Sequence, residues 1–273
     1  MELTLNDGHT IPQIGLGTWP LDDTEVASVV ETAVSLGYRH IDTAAKYGNE
    51  SGVGEGIRRS GLDRSALFVT TKLDGEFQGD GRAIAGLEGS LERLGLEYVD
   101  LLLIHWPLPA REEYVSTFRT FIGLQERGLV RSVGVSNFTP AHLARVIAET
   151  GVTPGVNQIQ LNPFIPRLVA QAEHKRLGIV TESWSPLGGD GADVLGSPLI
   201  EKIAAAHGRT TGQVVLRWHV QQGLVAIPKS RDAGRLASNL AVFDFELSDD
   251  DLAAIASLSQ GPDAGVDSDR SGH

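Results

Sequence analysis

The sequence predicts an α/β fold, a (β/α)8 TIM barrel with an N-terminal β-hairpin and extra helices. Short apolar runs alternate with helical patterns along most of the 273 residues, and eight such units can be counted. The strand runs are apolar on both faces, which is typical of a parallel sheet covered by helices on each side. The length and the 41% hydrophobic content suit one barrel, so we expect residues 1–273 to form a single domain.

The elements follow one another in a regular order. Two extended runs flank Asn6-Asp7-Gly8, which is a strong hairpin signal, so residues 1–14 are expected to form a hairpin before the barrel. Helical patterns separate the later strands, with two of them between Pro198 and Gln222. The polar, Gly-rich sequence over 259–273 predicts a mobile surface tail. The eight strand runs are GLG, RHID, LFVTTK, VDLLLIH, VRSVGVS, VNQIQ, IVTESW and LVAIP.

An open, doubly wound sheet is the structural alternative. Such a sheet needs a Gly-rich turn that follows a strand and cradles a dinucleotide. The nearest candidate, Gly52-Val53-Gly54-Glu55-Gly56, follows a polar segment and has isoleucine at position 57. The glycines of this run therefore indicate tight helix packing rather than a nucleotide site.

Composition excludes several classes of function. The net charge of -12 argues against a nucleic-acid or membrane surface, because either would need a basic face. The chain has no cysteine, so thiolate catalysis and cysteine-ligated metals are excluded, and redox chemistry would require a bound organic cofactor. The start lacks a signal-peptide pattern and the longest apolar run, VDLLLI, is too short to cross a bilayer, so we expect a cytoplasmic protein.

Four polar residues lie where predicted strands give way to loops: Asp42, Tyr47, Lys72 and His105. The carboxyl ends of barrel strands meet at one face, so we expect these side chains to share a pocket. Tyr47 would be a general acid whose pKa Lys72 lowers, while Asp42 keeps the lysine charged. His105 would orient a carbonyl oxygen or relay its proton. Taken singly, each residue has an ordinary structural explanation, but together they predict a site.

These motifs resemble those of the aldo-keto reductases, in a match that runs almost end to end. The similarity rests on GYRHIDTAAKYGNE, TTK and LLLIHWP, and VLRWH and NLAVFDFELSD place the chain near a bacterial branch similar to 2,5-diketo-D-gluconate reductase. The resemblance implies NADPH-dependent reduction of aldehydes or ketones on a (β/α)8 barrel. It also implies that Tyr47 is the proton donor, with Asp42, Lys72 and His105 as its partners, and that no metal is required.

The same resemblance assigns a cofactor site. GVSNF and VNQIQLNP would hold the carboxamide, TESWSPLG would supply an aromatic ring beneath the nicotinamide and a loop over the pyrophosphate, and AIPKSRDAGRLASN would bind the adenosine phosphate. Two cations and a helix N-terminus suit a phosphate dianion, which predicts a preference for NADPH over NADH. The cofactor residues implied are Ser136, Asn137, Gln158, Trp184, Ser185, Pro186, Leu187, Gly188, Lys229, Ser230, Arg235 and Asn239.

The substrate is expected to be a small carbonyl compound bound by a monomer. Trp19, Trp106 and Phe77 are the candidates for the pocket wall. Two positions depart from many relatives, which carry tryptophan where this chain has Asp74 and histidine where it has Asn162. The substrate therefore cannot be inferred from the nearest named enzyme. The short tail predicts an open, permissive pocket.

Two other functions remain as alternatives. One is a non-catalytic, cofactor-binding regulatory barrel, against which the intact set of four residues argues. The other is an isomerase or aldolase in which Lys72 forms a Schiff base. That chemistry needs a neutral lysine, whereas Asp42 would keep Lys72 charged.

Overall fold

The computed structural model describes residues 1–189, 192–262 and 264–273. An antiparallel hairpin precedes the barrel, with strands β1 (Glu2–Thr4) and β2 (Thr10–Pro12). Gly8 closes the turn at φ +91°, a conformation that glycine adopts without the penalty of a Cβ atom. Leu5 and Ile11 are buried against apolar residues near the amino ends of the barrel strands, so the hairpin covers this end of the barrel. The predicted hairpin is confirmed.

Eight parallel strands form the barrel, each paired with its neighbour in chain order. A parallel bridge from Ile14 to Ala226 joins the first and last strands, supported by a 2.9 Å hydrogen bond from the Gly15 amide to the Ala226 carbonyl. The predicted (β/α)8 fold is therefore confirmed. The strands are β3 (Leu16–Gly17), β4 (His40–Asp42), β5 (Phe68–Leu73), β6 (Val99–Ile104), β7 (Val130–Ser136), β8 (Val156–Gln160), β9 (Val180–Trp184) and β10 (Val225–Ala226).

Helices surround this sheet and bury their apolar faces against it. Val30, Leu87, Phe118 and Leu143 lie on four different helices, are fully buried and belong to one hydrophobic core. Within the described ranges, no helix has the length and apolar character needed to cross a membrane. The helices are α1 (Asp23–Leu36), α2 (Glu50–Arg59), α3 (Arg82–Leu94), α4 (Tyr114–Glu126), α5 (Pro140–Thr150), α6 (Leu168–Leu177), α7 (Pro198–His207), α8 (Thr211–Gln221), α9 (Ala233–Leu240) and α10 (Asp249–Ala256).

The glycines of α2 allow it to pack closely against both neighbouring helices. A Cβ atom at Gly52 would lie 1.9 Å from the Asp23 carbonyl oxygen of α1. A Cβ atom at Gly54 would lie 2.0 Å from the Leu94 carbonyl oxygen of α3. Backbone atoms on both sides leave no room for a side chain, which confirms that this run serves helix packing.

The carboxyl-terminal tail lies on the surface, and hydrogen bonds attach it to the barrel. The Val266 amide donates a 2.8 Å hydrogen bond to Gln160 Oε1, and Arg167 donates one of 2.8 Å to the Val266 carbonyl. The His273 ring then lies edge-on to His105, with 4.9 Å between ring centroids. The tail therefore crosses the carboxyl end of the barrel. Asp263, within the predicted tail, lies outside the described residues.

We expect Gly54→Ala to destabilise the protein, because the added methyl group meets backbone atoms of α3 that cannot rotate away. Overpacking of this kind typically costs about 1–3 kcal/mol. Each kcal/mol corresponds to a fall in Tm of roughly 2–4 °C, measurable by circular dichroism on heating.

Gly123→Ala is the matched control, because Gly123 lies within α4 and a Cβ atom there would have no neighbour within 4 Å. This change should raise Tm slightly, since alanine favours helix more than glycine does. If Gly54→Ala unfolds at the wild-type temperature, the close packing of α2 does not limit stability.

Candidate active site

A cavity of about 280 Å³ opens at the carboxyl ends of the barrel strands. Asp42, Tyr47 and His105 lie in its wall, and Lys72 lies buried beneath them. The predicted residues thus converge at one place, as the shared orientation of parallel strands requires. The lining also includes Trp19, Lys46, Trp106, Ser136, Asn137, Gln158, Trp184, Ser185, Lys229 and His273.

Lys72 is the centre of this group and has three hydrogen-bond acceptors. Its Nζ lies 2.5 Å from Asp42 Oδ1, 2.9 Å from the Thr43 carbonyl oxygen and 3.3 Å from the Tyr47 hydroxyl. Lys72 and Asp42 are both 1% exposed. Tyr47 ends a short 3-10 turn, Ala45–Tyr47, that follows β4 and turns the phenol back over the lysine. Each of the three ammonium protons of Lys72 therefore has its own acceptor.

Burial and charge set the protonation of these groups. Burial favours a neutral Lys72, but Asp42 and Tyr47 outweigh it and raise the pKa of the lysine above its usual value. Burial raises the pKa of Asp42, against the lowering effect of Lys72. Burial also raises the pKa of Tyr47, although Lys72 lowers it. The expectation of a net lowering at Tyr47 is wrong, because desolvation of the phenolate is the larger effect. Tyr47 consequently keeps its proton at neutral pH.

His105 is neutral. Burial, and next the charge of Lys72, hold the pKa of this histidine well below its usual value. Its Nδ1 is buried without a hydrogen-bond partner among the described residues, and its ring meets the Tyr47 ring edge-on at 5.7 Å. A proton on Nε2 instead gives a neutral ring that can donate one hydrogen bond.

Hydrogen bonds join Ser136, Asn137 and Trp184 in another part of the cavity wall. The Asn137 amide nitrogen donates to the His105 carbonyl at 3.1 Å, and its oxygen accepts from Trp184 Nε1 at 2.8 Å. The Ser136 hydroxyl donates to the Gln158 carbonyl at 2.9 Å. Asn137 has φ +63°, a strained conformation that is held by these contacts. This wall is therefore preorganised around the indole of Trp184.

Gln158 lies between two carboxyl groups, one of which sequence reasoning missed. Its Nε2 is 2.8 Å from Asp42 Oδ2 and 2.8 Å from Glu182 Oε2. Burial, with the charge of Asp42 adding to it, raises the pKa of Glu182 to about 8. The signal in the sequence was an acid in an otherwise buried strand, IVTESW. The role of this acid could not be inferred from the run alone, because it depends on the pairing of β8 with β9, which places Glu182 beside Gln158.

Lys229 and Arg235 are both exposed cations that have no carboxylate partner in the described part of the chain. Lys229 lines the cavity, and Arg235 Nε donates to the Ser230 hydroxyl at 3.3 Å. The Asp232 carboxylate caps α9 by accepting from the Arg235 amide at 2.8 Å, so this one amide of the helix N-terminus already has a partner. Asn239 lies on the buried face of α9.

Some predicted residues do not reach the cavity. Ser185 lines it, but Pro186, Leu187 and Gly188 do not, and Leu187 packs between two hydrophobic cores. Phe77 packs against Gly86 of α3, because the 3-10 turn over Gly75–Phe77 directs its ring towards that helix. The predicted role of Phe77 in the pocket wall is thus not supported.

The pocket mouth combines aromatic rings with one ion pair. Trp19 is 58% exposed and its ring lies 5.3 Å from the Tyr47 ring, while Trp106 is buried beside His105. Lys46 Nζ lies 3.3 Å from Asp74 Oδ2. His273 also lines the mouth, with 6.2 Å between the centroids of its ring and the Trp106 ring.

Asn162, the other departure, shapes the loop after β8 instead of entering the pocket. Its side-chain oxygen accepts from the amides of Phe164 and Ile165 at 3.0 and 3.2 Å. Its amide nitrogen donates to the Ser185 carbonyl at 3.4 Å. Asn162 therefore supports the segment that brings Ser185 to the cavity.

Comparison with known proteins agrees with this geometry. Residues 13–260 match the model of the aldo/keto reductase family. An aldo-keto reductase of Mycolicibacterium smegmatis is 50% identical over 97% of this chain and 96% of its own, and the methylglyoxal reductase DkgA of Escherichia coli is 44% identical over 99% and 98%. A crystal structure of a Gox0644 mutant in complex with NADPH is 44% identical, with a TM-score of 0.95 over 100% of this chain and 99% of that chain. The protein belongs to the aldo/keto reductase family.

Proposed function

We propose that this protein reduces small, uncharged carbonyl compounds with NADPH, and that 2-oxoaldehydes such as methylglyoxal are substrates. The observation that carries the proposal is the Tyr47 hydroxyl, held 3.3 Å from a charged lysine and beside a neutral histidine in the cavity wall. Relatives named methylglyoxal reductase at 44–45% identity support the substrate class.

The cavity suits NADPH in the chemistry of its donors. Ser136, Asn137 and Gln158 offer amide and hydroxyl groups to a carboxamide, and the half-buried indole of Trp184 offers an apolar face to a ring. Lys229 in the cavity wall and the exposed Arg235 on α9 offer cations to a phosphate. When bound, NADPH supplies a hydride to the carbonyl carbon.

The protein's own residues act on the carbonyl oxygen. Tyr47 and His105 would both donate hydrogen bonds to this atom, and negative charge grows on it as the carbon is reduced. Tyr47 then gives up its proton to form the alcohol. Lys72, 3.3 Å away, stabilises the phenolate that remains, and Asp42 keeps the lysine charged and in place.

The size and charge of the pocket favour small neutral substrates. Trp19, Trp106 and His273 restrict its width. Lys46 would attract an anionic substrate, but Asp74 lies close enough to cancel much of its charge. The aromatic mouth and the paired charges together suit a compact dicarbonyl compound.

The competing functions gain little support. Lys72 is charged and surrounded by acceptors, so it is a poor nucleophile for a Schiff-base reaction. The residues needed for proton donation all converge, which a non-catalytic cofactor-binding barrel would not need.

We further propose that the chain is a single-domain monomer that acts in the cytoplasm and does not bind nucleic acid. The net charge of -12 supports this view, because a nucleic-acid surface would need a basic face. Light scattering after size-exclusion chromatography should give a mass near 29.1 kDa. A stable dimer would contradict the monomer.

Tyr47→Phe should lower kcat for methylglyoxal about 100- to 10,000-fold, because it removes the proton donor and keeps the ring. NADPH affinity, measured by quenching of protein fluorescence, should be nearly unchanged. Carbonyl reduction at the wild-type rate would remove Tyr47 from the mechanism.

Arg235→Ala should raise the KM for NADPH about 10- to 100-fold, because a charge-assisted hydrogen bond is worth about 1.5–3 kcal/mol. The KM for NADH should change little, since NADH lacks the phosphate. The control is Arg231→Ala, because Arg231 is already paired with Glu25 at 3.1 Å. Equal effects of Arg235→Ala on both cofactors would place the phosphate elsewhere.

Asp74→Asn should shift selectivity towards anionic substrates, because it releases the charge of Lys46. The ratio of kcat/KM for para-carboxybenzaldehyde to that for neutral para-nitrobenzaldehyde should rise roughly two- to fivefold at low salt. Lys46→Met should lower the same ratio. A ratio that neither substitution changes would show that this ion pair does not influence substrate charge.

A further inference from the structure

A row of buried polar side chains continues beneath the residues already described, and it consists of His40, Glu182, Gln158 and Asp42. His40 and Glu182 are both fully buried, and Glu182 connects through Gln158 to Asp42. Neither His40 nor Glu182 touches the cavity. Isolated polar groups are costly to bury, so this row requires an explanation beyond packing.

Counting charges indicates that one carboxyl group of the row is neutral. Asp42 and Glu182 face a single ammonium group, and Lys72 lies 2.5 Å from Asp42. The hydrogen bond to Glu182 comes from the uncharged amide of Gln158. Burial of a second carboxylate without its own cation would cost several kcal/mol. The pKa of Glu182, raised by burial to about 8, agrees with a protonated acid at neutral pH.

The proton of Glu182 can be placed from its neighbours. His40 Nδ1 lies 3.4 Å from the Pro12 carbonyl oxygen, which only accepts, so Nδ1 carries the ring proton. Burial lowers the pKa of His40 to about 3, so the ring is neutral and its Nε2 is an acceptor. Glu182 Oε1, without a hydrogen-bond partner among the described residues, lies 3.5 Å from this Nε2. His40 Nε2 also lies 3.1 Å from the Thr70 hydroxyl, so this hydroxyl and a proton on Glu182 Oε1 both face the one acceptor nitrogen of the ring.

A metal ion is a poor occupant of this row. Ligand atoms of His40, Asp42 and Glu182 do lie within 4.8 Å of one another. However, the two oxygens of Asp42 are already bonded by Lys72 Nζ and Gln158 Nε2. An ammonium group in this position opposes a second cation.

The consequence for Gln158 is a fixed orientation. Its amide nitrogen has two protons, and two carboxyl oxygens at 2.8 Å accept them. The Gln158 side chain also lines the cavity, so the group left for a ligand is its Oε1, which is an acceptor. Without Glu182, one amide proton loses its partner and the amide can rotate to present nitrogen instead.

We propose that Glu182 acts as a neutral acid that positions Gln158, so that the glutamine oxygen faces the cavity and accepts an N–H from the carboxamide of NADPH. Glu182 is thus a positioning residue that touches neither cofactor nor substrate. The inference rests on the cofactor role proposed for Gln158.

The test compares NADPH dissociation constants, by fluorescence quenching, for Glu182→Gln, Glu182→Leu and a control. Glutamine can replace the neutral acid, because its side-chain oxygen can accept the hydrogen bond from Gln158, so the Kd of Glu182→Gln should stay near the wild-type value. Leucine cannot accept this hydrogen bond. The Kd of Glu182→Leu should therefore rise roughly three- to tenfold, which is the effect of one lost hydrogen bond. Ser183→Ala is the control, because Ser183 is buried on the same strand and its hydroxyl has no partner among the described residues.

Stability against pH gives a second readout. A carboxyl group with a raised pKa holds its proton in the folded state after the unfolded state has lost it, so stability falls as pH rises from about 4 towards 8. The Tm of Glu182→Gln should therefore fall less than that of the wild type between about pH 6 and pH 9. His40, Asp42, Lys72 and Tyr47, the other titratable groups facing this site, are the same in both proteins.

Several results would overturn the proposal. A Kd for Glu182→Gln as weak as that for Glu182→Leu would mean that an ionised carboxylate is needed, and a wild-type Kd for Glu182→Leu would mean that Glu182 positions nothing. If Glu182→Leu does not fold, Glu182→Thr, too short to reach Gln158, should show the same rise. If the wild-type protein binds NADPH but does not turn over methylglyoxal, the proposed substrate is wrong and the inference about Glu182 is unaffected. If the wild-type protein does not bind NADPH, the proposed function and the inference about Glu182 are both wrong.

Discussion

The buried ion pair between Lys72 and Asp42 is the interaction on which the site depends. An ammonium group inside a barrel costs several kcal/mol unless it is fully paired, and here it has three acceptors, from Asp42, Thr43 and Tyr47. Asp42 ends β4 and Lys72 lies in the adjacent β5, so the sheet itself brings the charges together. The ion pair also positions Tyr47 and keeps a positive charge under the cavity. The folding of the site and the reactivity of Tyr47 therefore depend on the same contact.

The ionisable groups around this pair form two layers, one at the cavity surface and one beneath it. At the cavity surface, Tyr47 holds a proton and His105 is neutral, since burial disfavours their charged forms. Below them, Glu182 and His40 repeat the combination of a protonated acid and a neutral imidazole. Lys72 and Asp42 lie between the layers as the charged pair. The barrel interior therefore stays close to electrically neutral, although it contains several ionisable side chains.

Local sequence predicted the features that depend on local order. The ends of β4, β5 and β6 are readable as strand runs, so the convergence of Asp42, Lys72 and His105 followed from the fold class. Glu182 was missed because its partner comes from another strand, and that register is not a local property. Phe77 was misplaced because a one-turn 3-10 segment decides which way a ring points.

The attachment of the tail could not be predicted from its composition, because the polar residues that are typical of a mobile segment also form the hydrogen bonds that attach it. None of its described residues from 264 to 273 is fully buried. Its contacts to Gln160, Arg167 and His142 lie at the rim of the barrel. Segments held by few buried apolar contacts open at a much lower free energy than a barrel core does. The wall that His273 adds can therefore detach while the strands and the ion pair remain folded, so access to the pocket and stability of the barrel are separately adjustable.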